Sequence, residues 1–217
     1  LVRSRGLGDV YKRQKDYNIK ALAEAGRRVW NETLGRIKVE GGTEDDKTVF
    51  YSSFYRTFER PICMSEDGRY FSAFDGKVHE DNGTPFYNDD WIWDTYRAAH
   101  PLRTLIDRQK EEDIIASYLR MAEQMGNMWM PTFPEATGDT RRMNSNHAVA
   151  TIADALAKGL KVDTVKAYEA CRKGMEEKTL APWSGAAAGW LDKFYHENGY
   201  IPCLLYTSDA ADDGESV

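Results

Sequence analysis

The segment YNDDWIWDTYR is the densest local cluster of side chains that could do chemistry. In it two indoles, Trp91 and Trp93, stand within a few residues of three carboxylates, Asp89, Asp90 and Asp94. Indoles pack against the C–H face of a ring and carboxylates accept hydrogen bonds from hydroxyls, which is what a sugar pocket requires. The alternative is that the indoles are core anchors and the aspartates cap the next helix. Composition alone leaves both interpretations open.

A second cluster lies between Trp129 and His147, where a proline-interrupted loop carrying Glu135 leads into a helix. Loops of this kind, positioned by a rigid scaffold, commonly line binding sites. The alternative is that Asn144 serves as an N-cap and His147 only hydrogen-bonds a neighbouring loop. Across both clusters, the candidates for acid or base catalysis are Asp89, Asp90, Asp94 and Glu135.

Other classes of site are not supported by the sequence. The four histidines do not fall at HxxxH spacing and the three cysteines form no CxxC pair, so no metal site is predicted. GxGxxG, GxxxxGK[ST] and GxSxG patterns do not occur. With 29 Lys+Arg against 35 Asp+Glu, and no stretch that concentrates the cations, we predict no nucleic-acid partner. We also predict no membrane span, since no run reaches the roughly 18 consecutive apolar residues needed.

The elements that must position these residues are mostly helices. The chain has 217 residues, 41% of them hydrophobic, which allows one domain or a piece of a larger one. Apolar residues recur at three- and four-residue spacing. The predicted helices are 15–37, a segment from Thr43 to Pro61, one starting at Pro101, one ending at Gly126, 144–158, 162–178 and 185–198. Between Pro61 and Trp91, the Asp-Gly dipeptides at 67–68 and 75–76 predict a short hairpin or irregular loop. Short helix connectors predict antiparallel helical hairpins, so the expected fold class is mainly α.

The two ends differ from the middle. Residues 1–14 carry four basic side chains, and 203–217 carry four acids and no base. GDVYKRQ and CLLYTSDAADD resemble translated adapter read-through at the ends of reading frames assembled from environmental DNA, although disordered tails are the alternative. We therefore expect 1–14 and 203–217 to be non-native tails and 15–202 to be the protein itself.

Five sequence blocks occur in order: VFYSSFYRT at 49–57, DGRY at 67–70, WDTYRAAHPL at 93–102, MNSNHA at 143–148 followed by IADA and KG, and GYIP at 199–202. In this order and at these separations they resemble glycoside hydrolase family 92, the exo-acting α-mannosidases. Together they span nearly all of 15–202. The family has an N-terminal β-sandwich, connecting helices and an α/α toroid of helical hairpins. The resemblance implies that this chain is a fragment: the connecting helices and a partial α/α toroid with a short β-hairpin or irregular insertion.

The resemblance also implies a chemistry: inverting hydrolysis of terminal α-linked mannose, assisted by calcium. In the family the general acid, the base and the calcium ligands lie beyond the GYIP block, which ends at Pro202. We therefore expect the catalytic residues C-terminal to Pro202, with no catalytic residue and no metal ligand in this chain.

The same resemblance implies binding roles for four residues. Trp93 and Asp94 match the mannose subsite, where Trp93 would shape the wall and Asp94 would accept hydrogen bonds from sugar hydroxyls. Glu135 and His147 are expected at the same end of the toroid. Ser145 stands where the family commonly has glycine, which affects the loop before His147.

The partners implied are mannose-terminated glycans of glycoproteins or yeast-type mannan, and the family is typically exported. Two other interpretations stay open: another α/α toroid carbohydrate-active enzyme, and a non-catalytic helical interaction module whose tryptophans lie in the core. A partial toroid leaves apolar helix faces uncovered. We therefore expect the chain alone to hydrolyse no α-mannoside and to aggregate or bind a hydrophobic dye.

Overall fold

The computed structural model describes residues 18–143, 146–179, 181 and 186–201. Within them, helices alternate with short antiparallel strand pairs, so the chain is mainly α, as predicted. The helices are α1 (Ile19–Leu34), α2 (Glu44–Arg56), α3 (Ile92–Thr95), α4 (Ala99–Ile106), α5 (Arg108–Gln124), α6 (His147–Ala157), α7 (Thr164–Glu176) and α8 (Trp190–Asn198). The strands are β1 (Ile62–Cys63), β2 (Arg69–Ser72), β3 (Lys77–Glu80), β4 (Tyr87–Asn88), β5 (Pro134–Glu135) and β6 (Gly138–Asp139). The expected tails, Asn144, Ser145 and Pro202 lie outside the described residues.

The chain divides into two compact units, Leu1–Arg56 and Thr57–Val217. The first contains α1 and α2, which contact each other. Thr43, where the second predicted helix starts, is the N-cap of α2: the Asp46 N–H donates to Thr43 Oγ1 at 3.1 Å, and the Thr43 N–H donates to Asp46 Oδ2 at 2.9 Å. This reciprocal pair satisfies backbone donors that a helix start leaves without intrahelical partners.

Of the two alternatives predicted between Pro61 and Trp91, a hairpin is present in the second unit. Strands β2 and β3 pair in antiparallel register, with Phe71 opposite Val78. Gly76 closes the turn at φ +72°, a left-handed conformation that glycine adopts without strain. Tyr70 points inward from β2, and its ring stacks on Phe86 with centroids 4.1 Å apart. The hairpin therefore packs against the core through the buried side chains of Tyr70 and Ser72 on β2.

Helix α5 is the central helix of the second unit and contacts α4, α6 and α7. Its buried apolar side chains are Ile114, Ile115, Tyr118, Leu119, Met121 and Ala122. Gly126 terminates it at φ +80°, as predicted. Ile92 of α3 and Ile152 of α6 join the same core cluster. Thus α3, which carries Trp93 and Asp94, and α6, which carries His147, share one core with α5. None of the described helices has both the length and the apolar character needed to cross a membrane.

Some predicted helix boundaries are wrong. Helix α6 begins at His147 rather than at 144, and α8 begins at Trp190 rather than at 185. Before α8 the backbone pairs with the segment after α7: the Ala188 N–H donates to Glu177 O at 2.6 Å, and the Thr179 N–H donates to Ala186 O at 3.2 Å. These bonds hold the segment extended, because an extended chain offers its backbone groups to a neighbour whereas a helix uses them internally.

Helix α2 ends at Arg56, before the predicted limit at Pro61. The carbonyl oxygens of Thr57 and Arg60 both accept hydrogen bonds from the Arg103 guanidinium, the first at 3.1 Å. A buried side chain therefore satisfies carbonyl oxygens that have no helical N–H partner, since Pro61, the residue four after Thr57, lacks an N–H.

Candidate functional site

The candidate site begins with α3, a single helical turn that carries Trp93 and Asp94. The backbone N–H of Asp94 donates to Trp91 O at 2.8 Å, which closes the turn. Trp93 is half-buried, whereas the Asp94 side chain is exposed. Partial burial and the nearby charge of Asp90 raise the pKa of Asp94 above its usual value. The arrangement offers an exposed carboxylate beside an indole, which is what a hydroxyl-rich ligand needs.

The structure brings the His147 side chain to the end of α3, against Tyr96. Its imidazole stacks on the Tyr96 ring, with centroids 3.9 Å apart and planes at 8°. The Arg97 guanidinium lies 5.6 Å from the Trp93 ring centroid and 5.5 Å from that of Tyr96. Burial and the positive charge of Arg97 lower the pKa of His147. At neutral pH the imidazole is therefore uncharged, with one ring nitrogen that donates and one that accepts.

Glu135 joins this region through its backbone. Its carbonyl oxygen accepts a hydrogen bond from Asn88 Nδ2 at 3.0 Å, and the preceding carbonyl, on Pro134, accepts from the Asp90 N–H at 3.0 Å. Strand β5 therefore lies beside the segment that leads into α3. The Glu135 carboxylate itself lies 3.3 Å from Arg142 Nε, and this ion pair does not favour Glu135 as a free acid or base.

The loop before β5 is held by two buried charges. The Asp139 carboxylate accepts hydrogen bonds from the Thr132 N–H at 3.1 Å and the Phe133 N–H at 2.7 Å. Lys178 Nζ donates to Met130 O at 3.2 Å and to Thr132 Oγ1 at 2.6 Å. Burial lowers the pKa of Lys178 to about 8. Contacts with both ends of this loop fix the path of the chain toward Glu135.

The two indoles of the first cluster differ in role. One face of Trp91 is covered by the Arg60 guanidinium, 3.9 Å from the ring centroid, and Phe133 stacks against the ring at 5.9 Å. Arg60 also forms an ion pair with Asp89. Trp91 and Asp89 are thus engaged within the protein, but Trp91 is 37% exposed and is not a core anchor, and Asp89 pairs with Arg60 rather than capping α3. Trp93 is half-buried, and its interpretation as the wall of a sugar pocket stays a hypothesis.

Asp90, a candidate acid or base in the sequence, is completely buried in a polar network. Its Oδ2 lies 3.0 Å from His100 Nε2 and accepts a hydrogen bond from Tyr118 Oη. On the other side of the imidazole, His100 Nδ1 lies 2.8 Å from Glu111 Oε1. Because burial and ion pairing keep Asp90 from substrate, it does not serve as acid or base. Of the four candidates, Asp94 is the one that is exposed and forms no ion pair among the described residues.

Electrostatics fix the charge state of this network. Burial alone would lower the pKa of His100, but the carboxylates of Asp90 and Glu111 outweigh it and raise the pKa to about 9. Burial would raise the pKa of Asp90, but the charge of His100 and the hydrogen bonds from His100 and Tyr118 lower it to about 2. The imidazole is therefore a cation between two carboxylates at neutral pH.

Sequence reasoning missed His100, Glu111 and Tyr118. One signal was present: Glu111 and Tyr118 are seven residues apart on α5, and Glu111 precedes Ile114 by three. This spacing places a carboxylate on the apolar face of the helix. A carboxylate on a buried face needs a partner, and His100 is that partner.

The network predicts a bell-shaped dependence of stability on pH. Asp90 has a lowered pKa, so its contribution is complete above about pH 4 and is lost as pH falls through about 2. His100 has a raised pKa, so its contribution is complete below about pH 6.5 and is lost as pH rises through about 9. Urea unfolding of the chain between pH 2 and 10 should show both limbs. In His100→Gln the decline between pH 6.5 and 9 should be absent, and its persistence would contradict the assignment.

Among the described residues, no group of three or more His, Cys, Asp or Glu side chains could hold a metal ion. The calcium that the family resemblance implies therefore does not fit the residues described, and no step of the chemistry below is drawn through it. The expectation that acid, base and calcium ligands lie C-terminal to Pro202 stays a prediction, because Pro202 and the residues after it lie outside the described part of the chain.

Comparison with known proteins identifies the family. The chain matches the family model described as the glycosyl hydrolase family 92 catalytic domain over residues 9–217. It resembles the solved family GH92 inverting mannosidase of Bacteroides thetaiotaomicron VPI-5482, with 31% identity and a TM-score of 0.75 over 89% of this chain and 26% of that chain. It also resembles a family GH92 α-mannosidase of Bacteroides thetaiotaomicron solved in complex with mannoimidazole, with 25% identity and a TM-score of 0.79 over 93% of this chain and 25% of that chain. No curated protein sequence matches.

These matches agree with the architecture found here, a mainly α partial toroid. The chain spans about a quarter of the length of the solved enzymes that it resembles. Because residues 9–217 of the 217-residue chain match the family model, the chain belongs to glycosyl hydrolase family 92, as a fragment of the catalytic domain.

Proposed function

We propose that this chain supplies part of the mannose-binding site of a longer α-mannosidase that removes terminal α-linked mannose from glycans. The observation that carries the proposal is the exposed Asp94 carboxylate on the α3 turn, beside the half-buried Trp93. Family membership and the two mannosidases that the chain resembles support the substrate class.

In this proposal each side chain has a distinct task. Asp94 accepts hydrogen bonds from sugar hydroxyls, which are stronger to an ionised acceptor than to a neutral one. The Trp93 ring forms an apolar wall for the C–H face of the sugar. The uncharged imidazole of His147, held on the Tyr96 ring, offers one donor and one acceptor to further hydroxyls. Glu135, paired with Arg142, shapes the edge of the site rather than transferring a proton.

Inverting hydrolysis needs two more groups. One carboxylic acid protonates the leaving oxygen and one carboxylate activates water, about 6.5–9.5 Å from it. Asp90 is buried, Asp89 is paired with Arg60 and Glu135 with Arg142, so we assign neither role to them. We propose that the acid, the base and the ligands of a calcium ion lie C-terminal to Pro202 in the complete enzyme that carries this segment.

The experiment that tests the function is turnover by that complete enzyme. It should hydrolyse an aryl α-mannoside, and proton NMR should show β-mannose as the first product, because inversion exchanges the anomeric configuration. An aryl α-glucoside serves as the matched control and should be hydrolysed far more slowly. Absence of α-mannoside turnover by the complete, folded enzyme would refute the proposal.

The 217-residue chain alone is expected to be inactive. It should hydrolyse no aryl α-mannoside, because the described residues offer no exposed acid and base pair, and turnover above the buffer rate would contradict this.

The chain should also bind a hydrophobic dye, because large apolar side chains on α7 and α8 are exposed, with Val165, Tyr168 and Trp190 at 78%, 70% and 63%. Dye fluorescence at a level typical of fully packed proteins would contradict the second expectation.

A further inference from the structure

The buried network around His100 lies directly beneath the turn that presents Trp93 and Asp94. His100, Asp90, Glu111 and Tyr118 are each at most 1% exposed, so none of them contacts a ligand on the surface. His100 is nevertheless held from both sides, by Asp90 at 3.0 Å and Glu111 at 2.8 Å, and Tyr118 Oη lies 3.1 Å from its Nε2. Such an arrangement fixes the imidazole in one orientation.

The network reaches the site through Asp90. Thr95 Oγ1, at the end of α3, donates to Asp90 Oδ1 at 2.9 Å. The backbone N–H of Asp90 donates to Pro134 O at 3.0 Å, which ties the same residue to strand β5. One carboxylate thus connects the α3 turn to the network, and its backbone connects the network to the loop of Glu135.

A single helical turn does not hold its own shape. Helix formation has a costly nucleus, so a four-residue helix depends on contacts outside itself. Trp91, the residue before α3, has no side-chain capping bond, and the Ile92 side chain is completely buried. At the other end of the turn the Thr95 hydroxyl lies 3.1 Å from Trp91 O within the turn, and its bond to Asp90 is the contact that ties this end to the buried network.

We propose that His100 is a positioning residue for the sugar site: held between Asp90 and Glu111, it fixes the Asp90 carboxylate that anchors the turn presenting Trp93 and Asp94. This inference rests on the proposed role of those two residues in binding mannose. Among the described residues, five charged or titratable groups bear on the network: Asp90 before α3, Asp94 on α3, Arg103 on α4, and Glu111 and Tyr118 on α5. Since the carboxylates of Asp90 and Glu111 outweigh the effect of burial and raise the pKa of His100 to about 9, the imidazole keeps its proton through the neutral range.

The test uses three variants of the complete enzyme. His100→Gln keeps hydrogen-bonding groups but loses the charge, and kcat/KM for the aryl α-mannoside should fall by about 10- to 100-fold, mostly through KM, because a misplaced binding group weakens the productive geometry. Thr95→Val removes the hydroxyl, which lies 2.9 Å from Asp90 Oδ1 and 3.1 Å from Trp91 O, and a loss of about 3- to 10-fold is expected, the effect of the one hydrogen bond that a single hydroxyl proton makes. His79→Gln is the matched control, since it breaks the 2.9 Å contact with Asp75 on the β2–β3 hairpin, and it should change kcat/KM by less than about 2-fold.

A pH profile separates positioning from mere stability. In the wild-type enzyme, at a temperature where it stays folded, KM should rise as pH increases through about 9, because His100 loses its proton there. In His100→Gln this limb should be absent. If His100→Gln is folded by circular dichroism and keeps wild-type KM, kcat and the alkaline limb, the proposal is overturned. If His100→Gln does not fold, Thr95→Val decides in its place, and unchanged kinetics in that variant overturn it.

A second readout does not depend on activity. In the 217-residue chain labelled with 5-fluorotryptophan, His100→Gln should shift the ¹⁹F resonance of Trp93, identified by its loss in Trp93→Phe, and His79→Gln should not. If the wild-type complete enzyme turns over no α-mannoside, the proposed function fails while this resonance still reports on the role of His100. An unshifted resonance would overturn the positioning role even in an active enzyme.

Discussion

Asp94→Ala in the complete enzyme will lower kcat/KM for an aryl α-mannoside by about 10²- to 10⁴-fold. A hydrogen bond to a charged group contributes about 1.5–3 kcal/mol, and a carboxylate that accepts from two sugar hydroxyls loses about twice that when it is removed. Asp94 can supply such bonds because its side chain is exposed on α3 while the neighbouring Asp90 is engaged below it. Steady-state kinetics of the purified variant measures the effect.

Matched variants make the Asp94 result specific. Asp94→Asn keeps the shape and one acceptor, so a loss of about 10- to 100-fold is expected. Asp154→Asn removes a surface carboxylate paired with Lys158 on α6 and should change kcat/KM by less than about 2-fold. Monodeoxy mannosides test the same contact from the side of the substrate. Removing the hydroxyl that bonds Asp94 should lower kcat/KM in the wild type but not in Asp94→Ala, because that variant has already lost the bond. Wild-type kinetics for Asp94→Ala would favour the interpretation of this region as a non-catalytic helical module.

The parts of the fold that follow from local rules could be predicted from the sequence. Thr43 caps α2 and Gly126 ends α5 because a side-chain oxygen and a positive φ are local requirements. The late start of α8 could not be predicted, since the segment before it is held extended by the backbone of residues 177–179. That pairing depends on tertiary contacts that the apolar spacing does not record.

The candidate site, too, could be predicted from the sequence only in part. The cluster of aromatic rings and carboxylates identified the segment, and the structure brings His147 against Tyr96 within it. The sequence could not show which of the four carboxylates is available to a ligand, because that depends on partners that lie far away along the chain. Asp90 and Asp94 are four residues apart, yet one is completely buried against His100 and the other is exposed. Only the packing of α4 and α5 decides which carboxylate can meet a ligand.

Asp90→Asn should destabilise the 217-residue chain by about 3–5 kcal/mol. Removing one partner of a buried ion pair leaves the other charge uncompensated, and here the amide leaves the His100 cation facing only Glu111. For a chain of this size each kcal/mol corresponds to about 2–4 °C in melting temperature, so a drop of roughly 6–20 °C is expected. The pKa of His100 should also fall from about 9, because the Asp90 charge raises it. Urea unfolding and NMR titration of the histidine measure the two effects.

The adjacent residue provides the control. Asp89→Asn removes an ion pair with Arg60 that is partly open to solvent, with side chains 19% and 33% exposed, so its cost should be about 1 kcal/mol or less. Asp89 has φ +59°, a left-handed conformation that asparagine tolerates as well as aspartate, so this exchange adds no backbone strain. A large difference between two neighbouring Asp→Asn exchanges would then reflect burial alone. Equal losses in the two variants would show that the His100 network contributes no more to stability than a surface ion pair, and the anchor proposed for the α3 turn would lose its physical basis.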